Sequence, residues 1–381
     1  MSKNVMVRRV GTDRHLLGEF IRLPHKIYAD NPYWVPWFRT DMRTIVRKKH
    51  PFFGHAAGEF YVAQRGNETV GRICVVENAR YNDTHDTATA HFYYPDFYDD
   101  PAVVDALFTE IAAWAQERGL THLSGPMLFG GAAGSGLLIE GFDQRAAMTM
   151  MRYNHPYYPE HLERLGFEKF EDLLSFALDP VSFKVPEKIA SLAERVLKRG
   201  RFKVRRFKNK RELKKIAWDV ANMYNITLGD HPEDYPFTHE ELEQLIKDLL
   251  VAADPPLEKI LTYDDRVVGF LLAFPDISAA LQRAKGRLNP WTLLDIYREF
   301  RTTKDLIING VGVLPEYQRL GGNALMYYEI AKTVQGDGRM VAAEASQVAE
   351  STELMIRDLK TLGAIPYKRH RMFTRELPLR P

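Results

Sequence analysis

The chain has 381 residues and a single cysteine, Cys74, so neither an internal disulfide nor a cysteine-built metal cluster can form. Cys74 sits in the apolar run Arg72-Ile73-Cys74-Val75-Val76, the setting of a small core residue rather than of a nucleophile. No apolar run is long enough to span a bilayer, and the first eleven residues carry no signal-peptide core. A soluble, cytoplasmic protein without a membrane partner is therefore expected. Charge of one sign is also scarce: 52 Lys and Arg against 50 Asp and Glu leave a net +2, which argues neither for nor against nucleic acid. The 12 histidines include no His-Glu-x-x-His spacing; His155 and His231 lie in proline-containing loops, and no metal is expected. A serine nucleophile elbow is missing too, because Gly134-Ser135-Gly136 is too short for it.

What remains is an ordinary globular balance, 45% hydrophobic and 27% charged, at a length that suits two domains. The most informative stretch is Asp305 to Arg339. A β-branched run from Leu306 to Val313 leads through Leu314-Pro315-Glu316 to a small polar loop, Gln318-Arg319-Leu320-Gly321-Gly322-Asn323. A helix then begins, carrying Leu325, Tyr328, Ile330 and Ala331. Strand, glycine loop and helix start in this order make an anion site, because first-turn amides lack internal partners and the helix dipole favours negative charge there. The spacing is neither that of a phosphate loop ending in Gly-Lys-Ser/Thr nor Gly-x-Gly-x-x-Gly.

Along the chain, strands are predicted at Val5–Val10, Glu59–Gln64, Thr69–Glu77, Thr87–Tyr94, Thr121–Leu128 and Phe170–Leu178. Helices are predicted over Asp13–Tyr28, broken at Pro24, and over Phe38–Val46, Pro101–Arg118 and Tyr158–Leu165. The order then repeats. Strands fall at Phe202–Phe207, Lys259–Tyr263, Val267–Phe274, Met340–Ala345 and Ile365–Phe373, with helices at Glu212–Leu228, His239–Leu250 and Glu350–Leu362. Val70-Gly71 matches Val268-Gly269, and Leu165-Gly166 matches Leu362-Gly363. The second half adds an insert at about Ser278–Arg301, and the first an extra glycine-rich loop at 130–141.

Gln318 and Gly321 resemble the Gln/Arg-x-x-Gly-x-Gly/Ala signature of GNAT acyltransferases, with Asn323 departing at its last position. The element order resembles the GNAT fold twice over. Asn31-Pro32, Trp34-Val35-Pro36, Gly125-Pro126, Gly141-Phe142-Asp143 and Leu165-Gly166-Phe167 are similar to segments of a bacterial tandem-GNAT group. The resemblance implies an α/β fold of two tandem GNAT-like domains, each a mixed, mostly antiparallel sheet flanked by helices. Residues 1–180 would form the first domain, 181–203 a linker and 204–381 the second. It also implies transfer of an acyl group from acetyl-CoA or another acyl-CoA to a small-molecule acceptor, an amine. The pyrophosphate would rest on Gln318, Arg319, Leu320, Gly321, Gly322, Asn323 and Ala324, and the pantetheine beside Val311 and Val313.

The halves are expected to differ. Ahead of the helix at Pro101, the first half reads Tyr94-Pro-Asp-Phe-Tyr-Asp-Asp-Pro101, with no glycine. Asp100 followed by proline is an N-cap pattern, and its carboxylate would occupy the amides a phosphate needs. The first domain is thus expected not to bind CoA, unless the glycine-rich loop Leu128–Gly136 wraps a phosphate.

For chemistry, Glu344 in Val341-Ala-Ala-Glu-Ala345 is the carboxylate expected to act as base. The helix after its strand lacks the tyrosine the family commonly uses as acid, leaving Tyr367 as a substitute. Tyr153, His155, Tyr157 and Tyr158 would line an acceptor groove, with aromatic packing as the simpler expectation. Arg195 to Lys215 holds twelve Lys or Arg against one acid, Glu212. A solvated linker and strand face explains it; the alternative is a phosphate-backbone contact. That alternative matters because enzymes taking an aminoacyl group from transfer RNA share the tandem fold. A non-catalytic acyl-CoA-binding or scaffold protein is the third reading.

Overall fold

The computed structural model describes residues 4–129, 134–228 and 234–379. His231 and the centre of the 128–136 loop lie outside the described residues.

In the first half, β1 (Val5–Arg9) precedes helices α1 (Arg14–Ile27) and α2 (Arg39–Val46). The hairpin β2 (Ala56–Arg65) and β3 (Glu68–Asn78), the short α3 (Ala79–His85) and β4 (Thr89–Phe97) follow. Then come α4 (Pro101–Glu117), β5 (His122–Met127), β6 (Leu137–Glu140), α5 (Tyr157–Arg164) and β7 (Glu168–Leu178). The second half contains α6 (Glu187–Arg199), β8 (Phe202–Arg205), α7 (Lys210–Lys214), α8 (Ala217–Leu228) and α9 (His239–Ala252). After the hairpin β9 (Lys259–Tyr263) and β10 (Arg266–Pro275), the insert forms α10 (Ser278–Ala284) and α11 (Pro290–Thr302). The chain closes with β11 (Asp305–Val313), α12 (Gly322–Asp337), β12 (Ala342–Ala349), α13 (Glu353–Thr361) and β13 (Ile365–Glu376).

All these strands join one sheet, in the order β1-β2-β3-β4-β5-β13-β7-β12-β11-β10-β9-β8, with β6 on β13. The halves exchange their last strands. β13, from the second half, lies between β5 and β7 of the first. β7, from the first half, pairs with β12 of the second. The repeat legible in the sequence is thus present, but each copy is completed by the other. Glycines 166 and 363, which end the helices before the exchanged strands, share φ values of 76° and 77°, where a side chain is strained.

Two expectations need correction. Pro24 does not break its helix: α1 runs through it. The missing amide of Pro24 leaves the Phe20 carbonyl without its helical donor, and Arg72 Nη1 donates to that oxygen at 2.7 Å. Arg72 is itself buried, anchored with Arg152 on the buried Asp96 carboxylate. The stretch 181–203, read as a linker, carries α6. Ile189, Ala193 and Val196 recur at helical spacing and are buried. This face packs on the start of α12, where a Cβ on Gly321 would stand 2.7 Å from Val196.

Candidate functional site

β11 and β12 run parallel and are paired only from Asp305–Ala342 to Ile308–Ala345. Beyond that point both strands slip out of register with their outer neighbours. β11 bulges against β10 opposite Leu271–Ala273, and β12 shifts against β7 between Ala345 and Val348. Gly310, at the bulge, holds φ +114°, a conformation side-chain residues rarely adopt. The parallel strands therefore part at Asn309 and Ser346. In the first half the equivalent pair stays closed, with Tyr93 still opposite Met127. Phe129 stacks on Tyr93 there, its ring centroid at 4.2 Å.

An apolar cavity of about 310 Å³ occupies the gap. Tyr327, Ile330, Ala331 and Val334 of α12 and Met355 and Leu359 of α13 wall one part of it. Tyr224 of α8, Phe237 and Leu245 of α9 wall another. These helices lie on opposite faces of the sheet: Gly322 of α12 sits against Leu261, whereas Gly312 sits against Thr227 of α8. The cavity thus crosses the sheet through the gap. Phe52, Tyr93 and Phe129 of the first half close its side.

At the end of β11 the loop expected to meet a phosphate reaches α12. Gln318 Nε2 donates to the Val313 carbonyl at 3.0 Å and fixes the turn. Gly321 is the N-cap, at φ +92°, and no side chain caps the helix. The first-turn amides are thus left without a capping group, while Arg319 and Leu320 are exposed. Asn323, the departure from the motif, leans toward the Asp358 carboxyl of α13, where it favours the charged form against the dominant effect of burial. Val311 lines the cavity; Val313 and Ala324 are buried. At α4 the contrast is direct: Asp100 accepts from the Ala102 amide at 3.0 Å and pairs with Arg65 at 2.6 Å.

Glu344 and Tyr367 are brought into contact, Tyr367 donating its hydroxyl to Glu344 Oε2. Lys368 Nζ, almost fully buried, donates to the same oxygen at 2.9 Å. Burial and the Glu344 charge hold the Tyr367 hydroxyl far above its ordinary pKa, so it stays protonated. Neither residue lines the cavity; Ala343 and Ala345, on either side of Glu344, do. Tyr153, His155, Tyr157 and Tyr158 pack together around Tyr28 and Phe97 and also stand away from the cavity. Tyr158 is fully buried, its oxygen bonded by the Phe97 amide and the Tyr28 hydroxyl.

Sequence reasoning missed the carboxylates that do line the cavity, Asp234, Glu241 and Asp248. Glu241 is committed. It closes a capping box with Thr238, receives the Tyr235 hydroxyl at 2.7 Å and contacts His55 Nε2 at 3.0 Å. Burial alone would raise its pKa, but those bonds outweigh it and hold the carboxyl below its ordinary value. Asp248 is freer: Gln244 Nε2 donates to it at 2.9 Å. Asp248 is exposed as a residue, but desolvation of its carboxyl, helped by the nearby charge of Asp41, pushes its pKa up. The Thr238-to-Glu241 spacing was a readable cap signal; nothing in the sequence connects α9 with the gap between β11 and β12.

No family model matches the chain. Among curated proteins, Protein YghO of Escherichia coli (strain K12) is 27% identical over 374 residues, covering 97% of this chain and 95% of YghO. Bacterial ceramide synthase of Caulobacter vibrioides is 27% identical over 371 residues, covering 95% of each. Among solved structures, a tandem GNAT protein from the clavulanic acid biosynthesis pathway is 13% identical and covers 99% of both chains, at a TM-score of 0.56. A probable N-acyltransferase from Enterococcus faecalis V583 is 11% identical, covering 99% of this chain and 73% of its own, at a TM-score of 0.52. The chain has the tandem GNAT fold.

Proposed function

We propose that this tandem-GNAT chain is an N-acyltransferase that takes a long acyl chain from acyl-CoA and passes it to a lipophilic amine. The observation that carries the reading is the apolar cavity running through the parted strands β11 and β12, with the uncapped start of α12 at the same end of β11. A chain of methylenes is recognised by apolar wall alone, at roughly 0.8 kcal/mol for each one buried. The name of the Caulobacter relative supports the class, since a ceramide is the amide of a fatty acid and a long-chain amine.

In this reading the nucleotide pyrophosphate lies on the amides of Leu320 to Ala324, and the thioester lies at the parting of the strands, near Asn309, Gly310 and Ser346. Ser346 Oγ is buried there with no hydrogen-bond partner among the described residues. The acceptor enters along α9, where Asp234, Glu241 and Asp248 draw an ammonium. Asp248 takes one proton from the ammonium and frees the amine; its nitrogen attacks the thioester carbonyl, the C–S bond breaks, and the second proton passes from the nitrogen to the departing sulfur, so that CoA leaves as its thiol. A raised carboxyl pKa makes Asp248 a better base than the saturated Glu241. The first half shapes the acceptor side and leaves the nucleotide to the second.

Calorimetry with palmitoyl-CoA tests the donor site. A Leu320→Asp variant, exposed and outside every packed face, places a carboxylate beside the free amides and is expected to weaken binding about tenfold. A substitution at Gly321 would not separate binding from folding, because a Cβ there would stand 2.7 Å from Val196 at a positive φ. Equal affinity in wild type and Leu320→Asp would place the nucleotide elsewhere. Thiol release in the presence of long-chain amines tests the base. Asp248→Asn is expected to lower kcat by about a hundredfold and to remove an acid limb that lies above the ordinary carboxylate range. If Glu344→Gln removes that limb in a folded protein and Asp248→Asn does not, the chemistry belongs to the Glu344–Tyr367 pair instead.

A further inference from the structure

The insert helix α11 is poorly covered by the rest of the molecule. Only Thr292 is buried along its length. Trp291 is 79% exposed and Tyr297 59%, with Leu293, Leu294 and the preceding Leu288 also in the open. Leu294, Tyr297 and Arg301 recur at helical spacing and form one outward stripe. The acids of the helix are neutralised from within: Arg283 binds Asp295 at 2.8 Å and Glu299 at 2.5 Å. Its cations Arg298 and Arg301 are not, nor are Lys285, Arg287 and Lys304 in the flanking turns: all are exposed and make no ion pair among the described residues, with Arg301 lying 5.8 Å over the Tyr297 ring.

A second, separate observation points to the same place. Part of the basic run singled out in the sequence folds beside this helix. Lys210 of α7 lies 5.7 Å over the Phe300 ring of α11 and donates to the Val251 carbonyl at 2.8 Å. Val251 is itself 78% exposed. Lys208, Arg211, Lys214 and Lys215 surround that contact in the chain, exposed and without ion pairs among the described residues. Earlier members of the run are consumed internally, Arg201 by Asp264 and Arg206 by Glu329.

We infer that α11 and α7 together form a docking surface for an anionic lipid bilayer, with α11 lying in the interface plane. Exposed tryptophan, tyrosine and leucines interleaved with arginine, with further lysine and arginine at the helix ends and on α7, are the composition of a helix that lies among headgroups with its charged tips reaching outward. The unpaired cations match the negative surface potential of anionic lipids. Peripheral docking needs no spanning segment, and among the described residues no helix is long and apolar enough to cross a membrane. RNA fits less well, because Leu288, Leu293, Leu294 and Val251 are exposed beside Trp291 and Tyr297 and offer a nucleic acid neither charge nor a stacking face. The inference stands whether or not the chain transfers acyl groups.

Co-flotation of the full chain with phosphatidylcholine vesicles, with and without phosphatidylglycerol, tests it. Binding is expected only with phosphatidylglycerol and is expected to weaken as salt rises. Trp291→Ser combined with Leu294→Ser should weaken it by roughly a hundredfold, and Arg298→Glu combined with Arg301→Glu by at least about tenfold. Circular dichroism and the melting transition, read in parallel, should be unchanged in both double variants, which shows that they are folded. Three results would overturn the inference: no flotation with phosphatidylglycerol at low salt; flotation that the double variants leave intact; or a wild-type dimer, seen by light scattering, that Trp291→Ser and Leu294→Ser dissociate. Transfer RNA binding that the Arg298→Glu, Arg301→Glu variant abolishes while flotation is absent would assign the surface to RNA.

Discussion

Ala331→Phe should turn a long-chain enzyme into a short-chain one. Ala331 is nearly buried on α12 and lines the cavity beside Ile330 and Val334. A phenyl ring there occupies space that the far end of an acyl chain would fill. Losing burial for four methylenes costs roughly 3 kcal/mol, about a two-hundredfold fall in kcat/KM for palmitoyl-CoA. A short donor such as butyryl-CoA is expected not to reach Ala331 and should keep its rate within a factor of a few. The helix tolerates the change locally, because position 331 is interior to α12 and phenylalanine costs well under about 1 kcal/mol of helix propensity. Strain from overpacking, about 1–3 kcal/mol, would show as a lower melting temperature without altering the ratio between donors. The ratio is therefore the measurement. An equal fall for both donors would mean that the cavity is not the acyl site, and the proposed donor class would go with it.

Cutting the chain after Gly363 should leave no folded protein. β13 is bonded to β5 from Phe373 to Glu376, to β6 from Arg369 to Arg371, and to β7 from Ile365 to Thr374. Phe373 and Met372 are each 1% exposed, and Lys368 and His370 are buried as well. Burial of a large apolar side chain stabilises by roughly 1.5–3 kcal/mol, so two such residues already approach a large part of a typical 5–15 kcal/mol total. The cut also strands Asp172, which three cations hold. Arg369 and Arg371, at 3.1 and 2.7 Å, would be lost, leaving Lys169 at 3.4 Å. A fragment of residues 1–180 should fail for the same reason, since β5 and β7 would have an empty place between them. Circular dichroism and size-exclusion chromatography decide this. A monomeric, cooperatively melting 1–180 fragment would show that the exchanged strand is dispensable.

What the sequence decided on its own was local. Binary pattern and turn residues located nearly every strand and the longer helices other than α6 and α11, because alternation and 3.6-residue periodicity report which face of an element is apolar. The duplication, the Asp100 cap and the uncapped glycine loop at Gly321 were legible too, since each depends on a few neighbouring residues. Asp100 indeed accepts its helix amide, and α12 indeed begins without a side-chain cap. Pro24 misled because its compensation is remote: Arg72, 52 positions away, supplies the donor that the proline lacks. The 181–203 stretch misled because its short apolar spacing was outweighed by its charge.

What only the tertiary structure decided was which residues meet. The exchange of β7 and β13 cannot be read from either half, because both strands would satisfy the same pattern in either sheet. The parting of β11 and β12 depends on bulges against two further strands, one of which comes from the other half. For that reason the strand neighbours of Glu344 single it out in the sequence, whereas its place beside Lys368, turned from the cavity, follows from β13. Asp248 joins the cavity only because α9 packs across the sheet gap. Element identity is a property of short windows of sequence; a site assembled from three elements is a property of their packing.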